Sequence, residues 1–114
     1  MEIIPDAHKE AFHPTDTTTI YEYNSTHPNI SGAIAEINGR YPETGFCVNQ
    51  TIDELAYVLS GRGTLISEKG EKEFLQGDVI IIPREEKFAW RGIMTLFMAT
   101  TPRFDPNQHI ETDE

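Results

Sequence analysis

The chain has 114 residues, 38% apolar and 10% aromatic, which is one domain's worth with enough core-forming side chains to exclude wholesale disorder. Nineteen acidic residues against nine Lys and Arg set a formal net charge of −10, which repels phosphate backbones and anionic headgroups. Neither nucleic acid nor a membrane surface is therefore an expected partner.

One cysteine, Cys47, excludes an intrachain disulfide and a Cys-based zinc cluster. No apolar run approaches the ~18–20 residues of a membrane span. The N-terminal residues lack the basic and apolar blocks of a signal peptide, so the expectation is a cytoplasmic chain. The glycosylation sequons at Asn24, Asn29 and Asn49 are then coincidental.

In chain order, residues 1–17 carry Pro5 and Pro14 with few periodic apolar positions, and read as an irregular arm with one helical turn at most. Residues 18–23 are β-branched and aromatic, and residues 29–37 alternate. The apolar run 55–59 stops at Ser60-Gly61-Arg62-Gly63, which suits a hairpin turn with 64–67 as the return strand. Residues 72–75 and 79–82 follow, the latter framed by Gly77-Asp78 and Pro83. Strands over 87–91 and 94–100 complete a set of about eight, with no sustained helical period. An antiparallel sandwich or barrel over 18–101 is expected, with 102–114 as a loop-like acidic tail.

Two blocks within this pattern resemble the cupin motifs. Glu54-Leu-Ala-Tyr-Val-Leu-Ser-Gly61 is similar to the second half of the first motif, and Gly77-Asp-Val-Ile-Ile-Ile-Pro83 to the opening of the second. The resemblance implies an all-β jelly-roll barrel of the small single-domain kind. It also implies metal ligands, a His-x-His ahead of the Glu and a His after the Pro. Here the first pair falls on Cys47 and Asn49, or on Val48 and Gln50, and the last on Phe88. Only Glu54 of the usual four remains, so no metal and no other cofactor is expected. The alternative is an improvised metal set of Cys47, Asn49, Glu54 and His109. The segments 101–109 and 38–42 look like those of small bacterial cupins, which adds to the fold and supplies no reaction.

If Phe88 points inward as the histidine it replaces would, period-two alternation points Trp90 the same way. Two aromatic faces would then line the barrel with Glu54 and Asn49 near them, Arg40 and Tyr41 at the rim, and His109 folded back from the tail. Such a set suits a sugar or another small polar ring, although Phe88 and Trp90 could equally fill the barrel with hydrocarbon. Burial would raise the Glu54 carboxyl and suit it to acid–base work, unless it pairs with Arg40. Leu55, Tyr57 and Leu59 share the opposite parity and form a candidate outward face for a homodimer. The leading expectation is a metal-independent small-molecule binding module. An isomerase or epimerase using Glu54 with Tyr41 or His109 is the second. A filled, inert structural or regulatory dimer is the third.

Overall fold

A computed structural model describes residues 1–113. Its strands are β1 (Glu10–Thr15), β2 (Thr18–Tyr23), β3 (Ser31–Tyr41), β4 (Phe46–Asn49), β5 (Asp53–Ser67), β6 (Gly70–Leu75), β7 (Val79–Ile82), β8 (Lys87–Thr101) and β9 (His109–Thr112). They form one antiparallel sheet in the order β1-β2-β3-β8-β4-β9, while β5 pairs with β6, β7 and β8. The sheet curls so that β5 and β8 close it into the expected all-β jelly roll.

Three local expectations are corrected. Part of the segment read as an irregular arm is β1, which pairs with β2 through Glu10↔Glu22 and Phe12↔Ile20. Pro14 hid this strand in the sequence. It is tolerated because β1 lies at the sheet edge and Pro14 falls where the register slips between Phe12 and Thr15. The tail also holds a strand: after a turn at Pro106–Gln108, β9 pairs with β4, with Asn49 opposite His109. Finally, residues 60–63 make no hairpin turn, and no break separates 87–91 from 94–100. β5 runs through a bulge between Val58 and Ser60 and pairs with β8 along nearly its whole length.

The reason lies in a row of glycines. Gly39 of β3, Gly92 of β8 and Gly63 of β5 are direct cross-strand neighbours. Gly39 and Gly92 have φ of 143° and 142°, a conformation that side-chain-bearing residues rarely adopt. A Cβ on Gly92 would lie 2.6 Å from both the Arg62 carbonyl oxygen and the Gly63 Cα. Three long strands therefore share one point of close backbone approach and turn together there, where each could have stopped.

Alternation on β5 sorts its side chains as expected. Glu54, Ala56 and Val58 are buried, joining a core of Ile37, Phe74, Trp90, Met94 and Leu96. Leu55, Tyr57 and Leu59 face outward and stay about 40% exposed. Leu55 stands between Ile81 and Ala99, and Tyr57 between Val79 and Phe97, so the outer face is a continuous apolar patch.

Gly92→Ala should lower unfolding stability in urea by about 2–4 kcal/mol, combining left-handed strain with a backbone clash. Gly70→Ala is the control, since Gly70 also has positive φ (130°) but a Cβ there meets nothing within 4 Å. It should cost only about 1 kcal/mol. Equal losses at the two sites would show that the glycine row is not a packing constraint.

Candidate functional site

The curled sheet encloses a cavity of about 520 Å³, within the ordinary range for small-molecule sites. A filled, inert barrel is thereby disfavoured. Its apolar wall comes from inward positions of four strands, including Ile20, Ala35, Phe88, Trp90 and Met98. Phe88 and Trp90 face the same way, as their shared parity requires, and both are 2% exposed. Trp90 meets Phe74 and Phe88 edge-on, with ring centroids 5.6 and 6.4 Å apart.

Glu54, Tyr41 and His109 supply polar groups to the same cavity. Glu54 is buried, and its Oε1 receives one long hydrogen bond, 3.5 Å, from Asn49 Nδ2. Its Oε2 has no partner. His109 lies 2.9 Å from Asn49 Oδ1 through Nδ1, and 2.9 Å from the Tyr41 hydroxyl through Nε2. The Tyr41 and His109 rings lie parallel, 4° from coplanar orientation, with centroids 6.2 Å apart.

One backbone group sets the direction of every bond in this network. The Thr51 N–H donates to Gln108 Oε1 at 3.2 Å, which leaves Gln108 Nε2 as the donor to Asn49 Oδ1 at 3.1 Å. Asn49 Oδ1 is therefore the acceptor toward His109, so His109 carries its proton on Nδ1. The bare Nε2 then accepts from the Tyr41 hydroxyl, and Asn49 Nδ2 points to Glu54. A peptide amide at the start of β5 thus fixes a neutral imidazole and a donating phenol beside the cavity. Burial supports the same states: it lowers the His109 pKa and pushes the Tyr41 phenol up.

Of the residues singled out in the sequence, Tyr41, Glu54, Phe88, Trp90 and His109 line one cavity. Asn49 sits behind it as the bridge between Glu54 and His109. Arg40 does not line it. Its guanidinium donates to the carbonyls of Pro42 at 2.7 Å and Gly45 at 2.9 Å, so it holds the turn before β4 and forms no ion pair with Glu54. Gln108 escaped the sequence reading because nothing in the tail announces that β9 docks on β4. Glu10, also in the lining, was hidden with β1, and with it the pairing that sets Glu10 opposite Glu22.

No family model matches this chain, and no curated protein matches it significantly. Solved structures do share its architecture. Streptomyces Pac13 in complex with uridine aligns with TM-score 0.87 and 15% identity over 98% of this chain and 90% of its own. Pac13 is a nucleoside dehydratase. KdgF from Halomonas sp. aligns at 0.73 with 12% identity, covering 93% of this chain and 99% of its own. An RmlC-like cupin from Shewanella frigidimarina aligns at 0.72 with 12% identity, over 90% and 91%. The fold is the small cupin jelly roll.

The donors that cupin metal sites require do not converge here. Among the described residues no three His, Cys, Asp or Glu side chains are grouped to hold a metal ion. Cys47 is fully buried and does not line the cavity, and burial pushes its thiol up to about 12. Asn49 Oδ1 is committed to Gln108 and His109, and Phe88 stands where a histidine would. The improvised set of Cys47, Asn49, Glu54 and His109 therefore does not fit a metal.

Burial raises the Glu54 carboxyl from its ordinary 4.5 to about 7, opposed by the Asn49 hydrogen bond. Between those values the folded chain holds a proton that the unfolded chain releases. The stability linked to Glu54 is thus full below about pH 4.5 and lost as pH rises through about 7, a change on the order of 3 kcal/mol. His109 acts oppositely: its pKa is lowered, so its contribution is present above its ordinary 6.5 and lost as pH falls. Denaturant unfolding of Glu54→Gln against wild type isolates the first effect. The variant should gain on wild type by on the order of 2–3 kcal/mol between about pH 5 and about pH 8. A constant difference would mean that Glu54 ionises as freely folded as unfolded.

Proposed function

We propose that this cupin binds a small hydroxylated ring, of the nucleoside or sugar class, and performs metal-independent proton transfer on it. The carrying observation is Glu54: a buried carboxyl with one unpartnered oxygen, facing the same cavity as a hydrogen-bonded Tyr41–His109 pair. A general base works best when its pKa lies near the working pH, and Glu54 at about 7 meets that condition. Ionised Glu54 takes a proton from the ligand through Oε2. Tyr41, whose one proton is given to His109, accepts a hydrogen bond from a ligand hydroxyl through its oxygen and so orients the ring. Phe88 and Trp90 give the ring apolar faces to pack on. The complex of Pac13 with uridine, a nucleoside, supports the ligand class, and its dehydratase activity is an example of reaction chemistry on this fold.

The test is a panel of nucleosides, aldoses and ketoses screened by thermal shift, followed by proton NMR of any stabilising compound in D2O. Wild type should catalyse deuterium entry into the ligand. Glu54→Gln should still be stabilised by the ligand but exchange at least about 100-fold more slowly. Stabilisation without exchange in wild type would reduce the site to a binding module, and no stabilisation by any member would overturn the reading.

We further propose that the patch of Leu55, Tyr57, Val79, Ile81 and Phe97 is covered by a second copy of the chain. The patch is contiguous and carries no charge, so two chains of net charge −10 can meet on it without opposing like charges. Tyr57→Glu should sediment as a monomer where wild type sediments as a dimer. A dimer of unchanged strength would place the interface elsewhere.

A further inference from the structure

The cavity's rim carries a charge arrangement that its interior does not explain. Glu10 of β1 and Glu22 of β2 are directly opposite in register, and both line the cavity. Like charges so placed repel. Neither carboxylate has an ion-pair partner among the described residues. Lys9, next to Glu10 in sequence, turns to the other face of the sheet, where it pairs with Asp6 at 2.8 Å and lies over the Tyr21 ring. Arg103 also lines the cavity, but its guanidinium donates to the Ser25 carbonyl at 2.9 Å and reaches neither glutamate. The Glu22 carboxyl is raised by partial burial and by Glu10, as expected of two acids left without a cation. Glu54, 7% exposed with Oε2 unpartnered, adds a third carboxyl to the same space. Three carboxyl groups face one guanidinium, while His109 is neutral.

We propose that the ligand carries a protonated amine, which sits between Glu10 and Glu22, and that it is not phosphorylated. This rests on the cavity being a ligand site for a hydroxylated ring. An ammonium group supplies the charge that the glutamate pair lacks and donates to both carboxylates. A phosphate brought to the same rim meets two carboxylates and a domain of net charge −10. The strand edge hidden from the sequence thus selects the ligand's charge, while Glu54 addresses its ring.

Two matched sets of probes test this by calorimetry: uridine, 5′-amino-5′-deoxyuridine and uridine 5′-phosphate, and glucose, glucosamine and glucose 6-phosphate. In whichever set binds, the amine should bind about tenfold more tightly than its neutral parent, and the phosphate more weakly than either. High salt should narrow that spread. The double variant Glu10→Gln, Glu22→Gln should bring amine and parent to within about twofold of each other. Removing mutual repulsion should also leave it at least as thermally stable as wild type, so loss of fold does not confuse the result. Equal binding of amine and parent by wild type, or an unchanged preference in the double variant, would overturn the amine proposal and leave the cavity reading standing. Failure of all six probes to bind would overturn both.

Discussion

The shape of this protein depends on the backbones of β5 and β8 approaching more closely than a side chain permits. Gly39, Gly92 and Gly63 meet across β3, β8 and β5; at Gly92 and Gly63 a methyl group has no room, and Gly39 and Gly92 hold left-handed φ. Because the contact lies within the strands, their ladders continue on both sides of it. The sheet can therefore curl without ending, and its two halves enclose a cavity while remaining hydrogen-bonded to each other. Two side chains of the site are placed by this curl. Tyr41 stands two residues beyond Gly39, and Trp90 two residues before Gly92, so the same inward parity carries both toward the cavity.

Period-two patterning made much of this readable. Thr18–Tyr23 could be assigned from its β-branched and aromatic residues, and Val79–Ile82 and 53–59 from residue types whose burial alternates. Glu54, Phe88 and Trp90 could be placed for the same reason: once a strand's inner face is known, parity assigns each residue. What the sequence concealed were facts about pairing. The glycines at 61 and 63 read as a turn, since a glycine used for a chain reversal and one used for close strand contact look alike in one dimension. β1 and β9 exist because a partner edge is available, and neither has apolar alternation strong enough to declare itself.

The same distinction separates the visible part of the site from the hidden part. Glu54 is conspicuous, an acid at the inner start of an apolar strand. The groups that give it company arrive from the chain's two ends, Glu10 from β1 and His109 with Gln108 from the tail. Their docking also determines protonation. The Thr51 amide, acting through Gln108 and Asn49, decides which nitrogen of His109 holds a proton and hence that Tyr41 donates. Such an ordered chain of donors and acceptors stabilises only when every member is satisfied. Within it the polar atom left over is Oε2 of Glu54, a residue that lines the cavity.

The contrast between Asp53 and Glu54 shows why that leftover atom indicates a site. The two acids are adjacent, and strand geometry sends them to opposite faces. Asp53 meets Arg84, which donates to it from both its backbone and its guanidinium at 2.9–3.2 Å, and its pKa is lowered. It is a carboxylate used as a fastener, satisfied and half-exposed. Glu54 is taken out of water with a single long hydrogen bond and no cation, and its pKa rises. A buried carboxyl with no structural partner destabilises the fold, and an apolar residue of similar size would pack there at lower cost. The cost falls on one atom of a residue that lines the cavity, and a hydrogen-bond donor reaching Oε2 would relieve it. Under the proposed function, the stability sacrificed at Glu54 is free energy that ligand binding can recover.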